Sequence, residues 1–235
     1  MTDLKKQEQA AIEAVARRFS ATWEKGSDLC SAWLTVAGKR VAVDIGTLKQ
    51  RNSGKTNAAK PGLRFDKVVT RLMEHLQSAL AGIVPDRTTV LLTITAPIRL
   101  PSKTAVALET KIQTLLGKGS RPRDVKATIH GKRIQVRLLR NQFVRAPKLI
   151  GFVHNPDSDP LVLLNLTSDL LERISPKPGR QARRPAGDRW LVLINAGGIS
   201  FLEAYRYICS QLRTAPDFQK VLMVFDDGRV EVLAE

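Results

Sequence analysis

The chain has 235 residues, 43% apolar and 26% charged, which suits a single α/β domain with a genuine core. Its 38 lysines and arginines exceed its 22 acids, giving a formal net charge of +16 that favours a polyanion partner, nucleic acid first and an anionic membrane second. No apolar run is long enough to span a membrane, MTDLKKQEQA lacks the apolar core of a secretory signal, and the scattered Cys30, Cys209, His75, His130 and His154 have no zinc-ligand spacing, so the expectation is a cytoplasmic protein without a histidine-rich metal centre.

Ile12, Val15, Ala16, Phe19 and Trp23 recur at helical spacing and predict a helix over 4–24. AWLTV at 32–36 and RVAVDI at 40–45 flank Ala37-Gly38-Lys39 and predict a β-hairpin. Residues 46–62 form a polar, basic loop. A second helix is expected over 63–80, with Phe65, Val68, Val69, Leu72, Leu76 and Leu80 on one face. The uncharged, branched run 88–94 reads as a buried central strand. A helix over 103–116 and a hairpin over 125–139, turning through His130-Gly131-Lys132, follow. Residues 151–153 suggest a short strand, 161–166 are apolar, and 167–174 are helical. Residues 175–189 form a second basic loop, containing prolines. The expected C-terminal order is a strand at 190–194, a helix at 201–212, and strands at 221–225 and 229–233 joined through Asp226-Asp227-Gly228. The whole predicts one α/β domain over 1–235, with one central mixed sheet flanked by helices.

Asp44 interrupts an apolar strand, Asp28 precedes the first hairpin strand, and Glu13 lies on the preceding helix. A tight hairpin can draw such acids together. Three converging carboxylates make an oxygen-lined site for magnesium or manganese, suited to polarising a phosphodiester. The simpler alternative is that Asp28 caps a turn and Glu13 faces solvent.

The order helix, hairpin, helix, strand, with acids before the first hairpin strand and within the second, resembles the PD-(D/E)xK nuclease superfamily, whose fold is restriction-endonuclease-like. The resemblance implies metal ligands at Asp28 and Asp44 and an assisting acid at Glu13. The family's lysine position reads Gly46 here, so Lys49 or Lys39 must reach back if a basic group serves the phosphate. Leu170, Leu171 and Ile174, then Lys177, then WLVLI at 190–194 extend the similarity over most of the chain. It implies a metal-dependent phosphodiesterase acting on nucleic acid, DNA before RNA, or a relative that has lost the activity.

The basic loops stand beside that resemblance as a separate signal. Lys177, Arg180, Arg183, Arg184 and Arg189 crowd one of them; Lys49, Arg51, Lys55 and Lys60 crowd another; Lys118, Arg121, Arg123 and Lys126 form a third group. Of these, Lys55, Lys177, Arg180, Arg183 and Arg184 are the expected phosphate contacts. A non-catalytic nucleic-acid-binding or assembly protein using these loops is the alternative reading, and a protein partner with an acidic face is a third. Ser53-Gly54-Lys55-Thr56 lacks the front of a phosphate-binding loop, and Asn195-Ala196-Gly197-Gly198 lacks GxGxxG, so neither predicts a nucleotide cofactor.

Overall fold

A computed structural model describes residues 4–26, 30–48, 63–64, 66–117, 124–140, 147–157, 159–174, 187–195, 202–211 and 218–235. In chain order its elements are α1 (Lys6–Arg18), β1 (Thr22–Lys25), β2 (Ala32–Val36), β3 (Lys39–Leu48), α2 (Lys67–Leu80), β4 (Thr88–Thr95), α3 (Pro101–Gly117), β5 (Asp124–Ile129), β6 (Lys132–Arg140), β7 (Leu149–His154), α4 (Pro160–Ile174), β8 (Arg189–Asn195), α5 (Leu202–Gln211), β9 (Lys220–Phe225) and β10 (Val230–Ala234). The α/β class is as expected; the single central sheet is not. β4 belongs to a second sheet, and the chain divides into two compact units, Met1–Arg51 with Arg173–Glu235, and Asn52–Glu172 between them in sequence. Local periodicity identifies strands but carries no record of which distant strand each one pairs with, and that is where the one-sheet expectation failed.

The first unit holds a six-stranded sheet in the order β1-β2-β3-β8-β9-β10. β1, β2 and β3 form an antiparallel meander, and β3, β8 and β9 run parallel. The β2–β3 turn is Ala37-Gly38, with φ of 47° and 79°. Positive φ at both central residues matches the right-handed twist of the flanking strands, and glycine supplies the second at no steric cost. Side chains alternate along each strand. Val41, Val43, Trp190, Val192, Ile194, Leu222 and Val224 take one face and form a core with Ile12 and Val15 of α1. The other face carries Ala42, Asp44 and Gly46, and α5 is tied to it where Arg206 donates to Glu231 at 2.8 Å.

The helix expected over 4–24 stops at Arg18. Ser20 turns into the left-handed region at φ 49°, and 22–25 pair as a strand with β2. Phe19 and Trp23 are therefore not one helical stripe. The Phe19 ring meets Trp190 edge-on at 4.8 Å, while Trp23 sits opposite Leu34. Gly46 was expected in a loop, but β3 continues through it to Leu48 because β8 pairs along that length.

The second unit holds a four-stranded sheet, β5-β6-β4-β7, with the β4–β7 pair parallel and the rest antiparallel. Asp66 caps α2 by accepting from the amides of Val68 and Val69, both at 3.0 Å. Val69, Leu72, Leu76 and Leu80 of α2, with Leu108 and Ile112 of α3, bury one sheet face formed by Val90, Leu92, Ile94, Ile134, Val136 and Leu138. The β5–β6 hairpin turns through His130 and Gly131, again with two positive φ angles, as expected from HG in the sequence. α4 starts at Pro160, earlier than expected: proline suits a first helical position, and Asp159 caps the turn by accepting from Leu161 N at 2.9 Å.

Among the described residues no helix is long and apolar enough to cross a membrane.

Candidate functional site

β3 places Asp44 on the face of the six-stranded sheet away from α1. Ala42 is in register with Arg189, and Asp44 with Leu191, so Asp44 and Arg189 share a face on adjacent parallel strands, two positions out of register. A long arginine spans that diagonal. The Arg189 guanidinium donates to the Asp44 carboxylate in an ion pair whose side chains are only 13% and 22% exposed. Phe218 lies under the same guanidinium at 5.0 Å. Arg189 Nε is buried and lacks a hydrogen-bond partner among the described residues.

Arg189 was grouped with the basic loop; it is instead the first residue of β8, and its charge is committed to Asp44. The strand-start position was visible in the sequence, because Trp190 opens an apolar run directly after it. Its partner was not, because it lies 145 positions away.

Ser31 lies at the end of β2 beside Asp44. Its amide donates to Val43 O at 2.9 Å, and its hydroxyl accepts from Ile45 N at 3.1 Å. Gly26 closes the same connection. A Cβ there would stand 2.1 Å from Cys30 O, so no other residue fits without moving the backbone. At Gly46 the aliphatic stem of Arg173 lies 3.4 Å from where a Cβ would stand. A basic side chain from elsewhere in the chain thus approaches the position where the resemblance expected a lysine.

Glu13 does not join Asp44. It is exposed on α1 and accepts from Gln9 Nε2 at 2.9 Å, while α1 packs on the opposite face of the sheet. Asp28, Lys49, Lys55, Lys177, Arg180, Arg183 and Arg184 lie outside the described residues. The described part of the site is thus one carboxylate against one guanidinium. Among the described residues no three His, Cys, Asp or Glu side chains cluster as a metal site. A hard dication takes several oxygen ligands, and a carboxylate facing a guanidinium does not make such a set, so the described residues do not fit magnesium or manganese.

Cys30 and Cys209 are both buried and not in a disulfide. Burial pushes the Cys209 thiol up to about 12, far from a reactive thiolate.

Comparison of the chain with protein-family models, with curated proteins and with solved structures gives no match in any of the three.

Proposed function

We propose that the protein binds nucleic acid through its basic loops, on a restriction-endonuclease-like unit that is catalytically impaired. The observation that carries this reading is the formal charge of +16 in a chain of ordinary apolar content. Solvation explains charged loops, but it does not explain why they share one sign. Support for the fold comes from a helix followed by three antiparallel strands and a parallel fourth, with Asp44 inside the third. Support for impairment comes from Gly46 in place of a lysine and from the engagement of Asp44 by Arg189. The partner in this reading is DNA before RNA.

The test is equilibrium binding to random duplex DNA, duplex RNA and single strands across a salt series. The expected result is affinity that falls steeply with salt, by orders of magnitude between about 50 and 200 mM when several phosphates are neutralised. No binding at low salt to any of the three overturns the reading.

The meander and its acid favour a second reading, a metal-dependent phosphodiesterase with Asp28 and Asp44 as ligands and Lys49 serving the phosphate. Cleavage of labelled DNA or RNA with magnesium or manganese, present in the wild type and lost in Asp44→Ala with binding retained, would establish it. Equal residual cleavage by both proteins would remove it.

A further inference from the structure

The four-stranded sheet has one apolar face under α2 and α3. Its other face carries the fully buried Leu91, Ile150 and Phe152, but next to them it is polar where an ordinary core would be apolar. Gln135 on β6 and Thr93 on β4 are in register with each other, and Lys126 on β5 is in register with Gln135. Two positions along their strands lie Arg133 and Thr95, with His154 on β7 in register with Thr95. These six side chains line a cavity of about 640 Å³. Thr93 is 1% exposed and Gln135 3%, yet Thr93 Oγ1 and Gln135 Nε2 have no hydrogen-bond partner among the described residues. A buried polar atom left in that state has lost its bonds to water without a replacement. A single bridging water, whose share of liquid volume is about 30 Å³, does not fill such a space.

The lining sorts by charge and depth. Lys126, Arg133 and Asp159, whose carboxylate caps α4, are exposed at the mouth and leave one positive charge in excess, while Thr93, Thr95, Gln135 and His154 are buried and form a floor. His154 Nδ1 lies 2.8 Å from Asn155 O, and a carbonyl only accepts, so Nδ1 carries the proton. Burial holds the ring below its ordinary range, hence neutral at pH 7, leaving Nε2 as an acceptor. Leu161 and Pro160 add apolar surface to the wall. Two cations at the mouth suit a phosphate. A neutral floor that offers an amide donor, hydroxyls and an imidazole acceptor suits the mixed edge of a heterocycle. It suits neither an acyl chain nor a dianion.

We propose that this cavity binds a single nucleotide unit, its base edge on Gln135, Thr93 and His154 and its phosphate at Lys126 and Arg133. The choice of a nucleotide among phosphorylated ligands rests on the nucleic-acid reading above. The unit comes either from a free nucleoside monophosphate or from an unstacked residue of a single strand.

The experiment is isothermal titration calorimetry of the full chain with the four ribonucleoside 5′-monophosphates, with ribose 5-phosphate and inorganic phosphate as controls, and with a short single-stranded oligonucleotide as competitor. At least one monophosphate is expected to bind saturably, at least tenfold more tightly than ribose 5-phosphate. Gln135→Met should weaken it about tenfold, and Lys126→Ala, at an exposed position that folding does not need, should weaken the monophosphate more than the matching nucleoside. Displacement by the oligonucleotide, with the same sensitivity to Gln135→Met, assigns the strand as the source; its failure to displace assigns the free nucleotide. Ribose 5-phosphate binding as well as any monophosphate overturns the proposal, as does binding indifferent to both substitutions. Absence of monophosphate binding alongside salt-sensitive duplex binding overturns this inference alone. Absence of both removes the nucleic-acid reading with it.

Discussion

On the six-stranded sheet the one acid within β3 meets a guanidinium, and the pair closes on itself. On the four-stranded sheet two buried polar side chains stand in register, and neither Thr93 Oγ1 nor Gln135 Nε2 bonds to anything among the described residues. Both regions place polar groups where an apolar residue would pack. A buried charge with its countercharge is mutually dependent, so removing one side is costly. A buried donor without a partner is already at a loss, so removing it is not. Substitution should therefore change stability in opposite directions in the two regions.

The largest effect is expected at Asp44. Asp44→Ala leaves the Arg189 guanidinium in a site only 13% exposed with no counter-ion, and should destabilise the first unit by on the order of 3 kcal/mol. The three tryptophans, Trp23, Trp33 and Trp190, all lie in that unit, so their fluorescence in a urea titration reads it directly. Replacing both partners, Asp44→Leu with Arg189→Met, should recover most of the loss. A more stable Asp44→Ala protein would break the comparison. It would mean that Asp44 is kept at a cost for chemistry, as the phosphodiesterase reading needs.

The opposite sign is expected at Gln135. Gln135→Met keeps the volume and removes an unbonded amide, so the second unit should gain about 1 kcal/mol, or at least lose nothing. Thr93→Val tests the same idea on the neighbouring strand. Residues 52–172 contain no tryptophan or tyrosine, so amide hydrogen exchange along β4 and β6 is the suitable probe. Clear destabilisation by both substitutions would show that these groups are bonded in solution.

What the sequence made legible divides along similar lines. α2, β4 and the two tight hairpins follow from periodicity and from Ala-Gly and His-Gly turns, because those signals are local. The polar floor was hidden inside a correct reading. The run 88–94 was read as a buried strand, and it is buried, but beyond the fully buried Leu91, Thr93 and Thr95 alternate with Leu92 and Ile94, and that local period of two was the signal for a polar patch. Gln135 between Ile134 and Val136 was the matching clue on β6. Asp44 stood out as the acid that interrupts an apolar strand, yet its partner Arg189 could not be inferred without the β3–β8 register. The convergence of Glu13 failed because a helix beside a sheet serves one face, and the alternation along β3 puts Asp44 on the other.

A smaller effect is expected from pH. His154 is 1% exposed, and its pKa is lowered chiefly by burial and further by the nearby Arg133, against the opposing influence of the Asn155 carbonyl and Asp159. Its unfolded value is near 6.5, and the folded value is lower, so the unfolded chain binds more protons as pH falls below about 6.5. The stability contribution is fully present above that value and is lost as pH falls toward the folded value. Thermal denaturation between about pH 7 and 5, above the range where most carboxylates titrate, should show this decline, and His154→Gln should flatten it. An unchanged slope in His154→Gln would place the titrating group elsewhere.

The smallest effect is expected one row along the same sheet face, at Asp124. Arg137 bonds both Asp124 oxygens, at 2.5 and 2.8 Å, and also donates to Asn165 Oδ1 at 3.0 Å and Ser168 Oγ at 3.1 Å. The arginine side chain is 15% exposed, but Asp124 is 40% exposed, so water screens the pair and can replace the acid's oxygens. α4 keeps its two contacts to the guanidinium whatever stands at 124. Asp124→Asn should therefore cost only about 0.5 kcal/mol, several-fold less than Asp44→Ala, although both remove a carboxylate from an arginine on a sheet face. A double-mutant cycle with Ser168→Ala locates the remaining support: non-additive loss is expected, because each substitution raises the guanidinium's dependence on the other's partner. A cost at Asp124 equal to that at Asp44 would mean that the α4 contacts contribute little. The contrast between the two sheets would then turn on whether a carboxylate is present at all, rather than on whether the group it faces has anywhere else to bond.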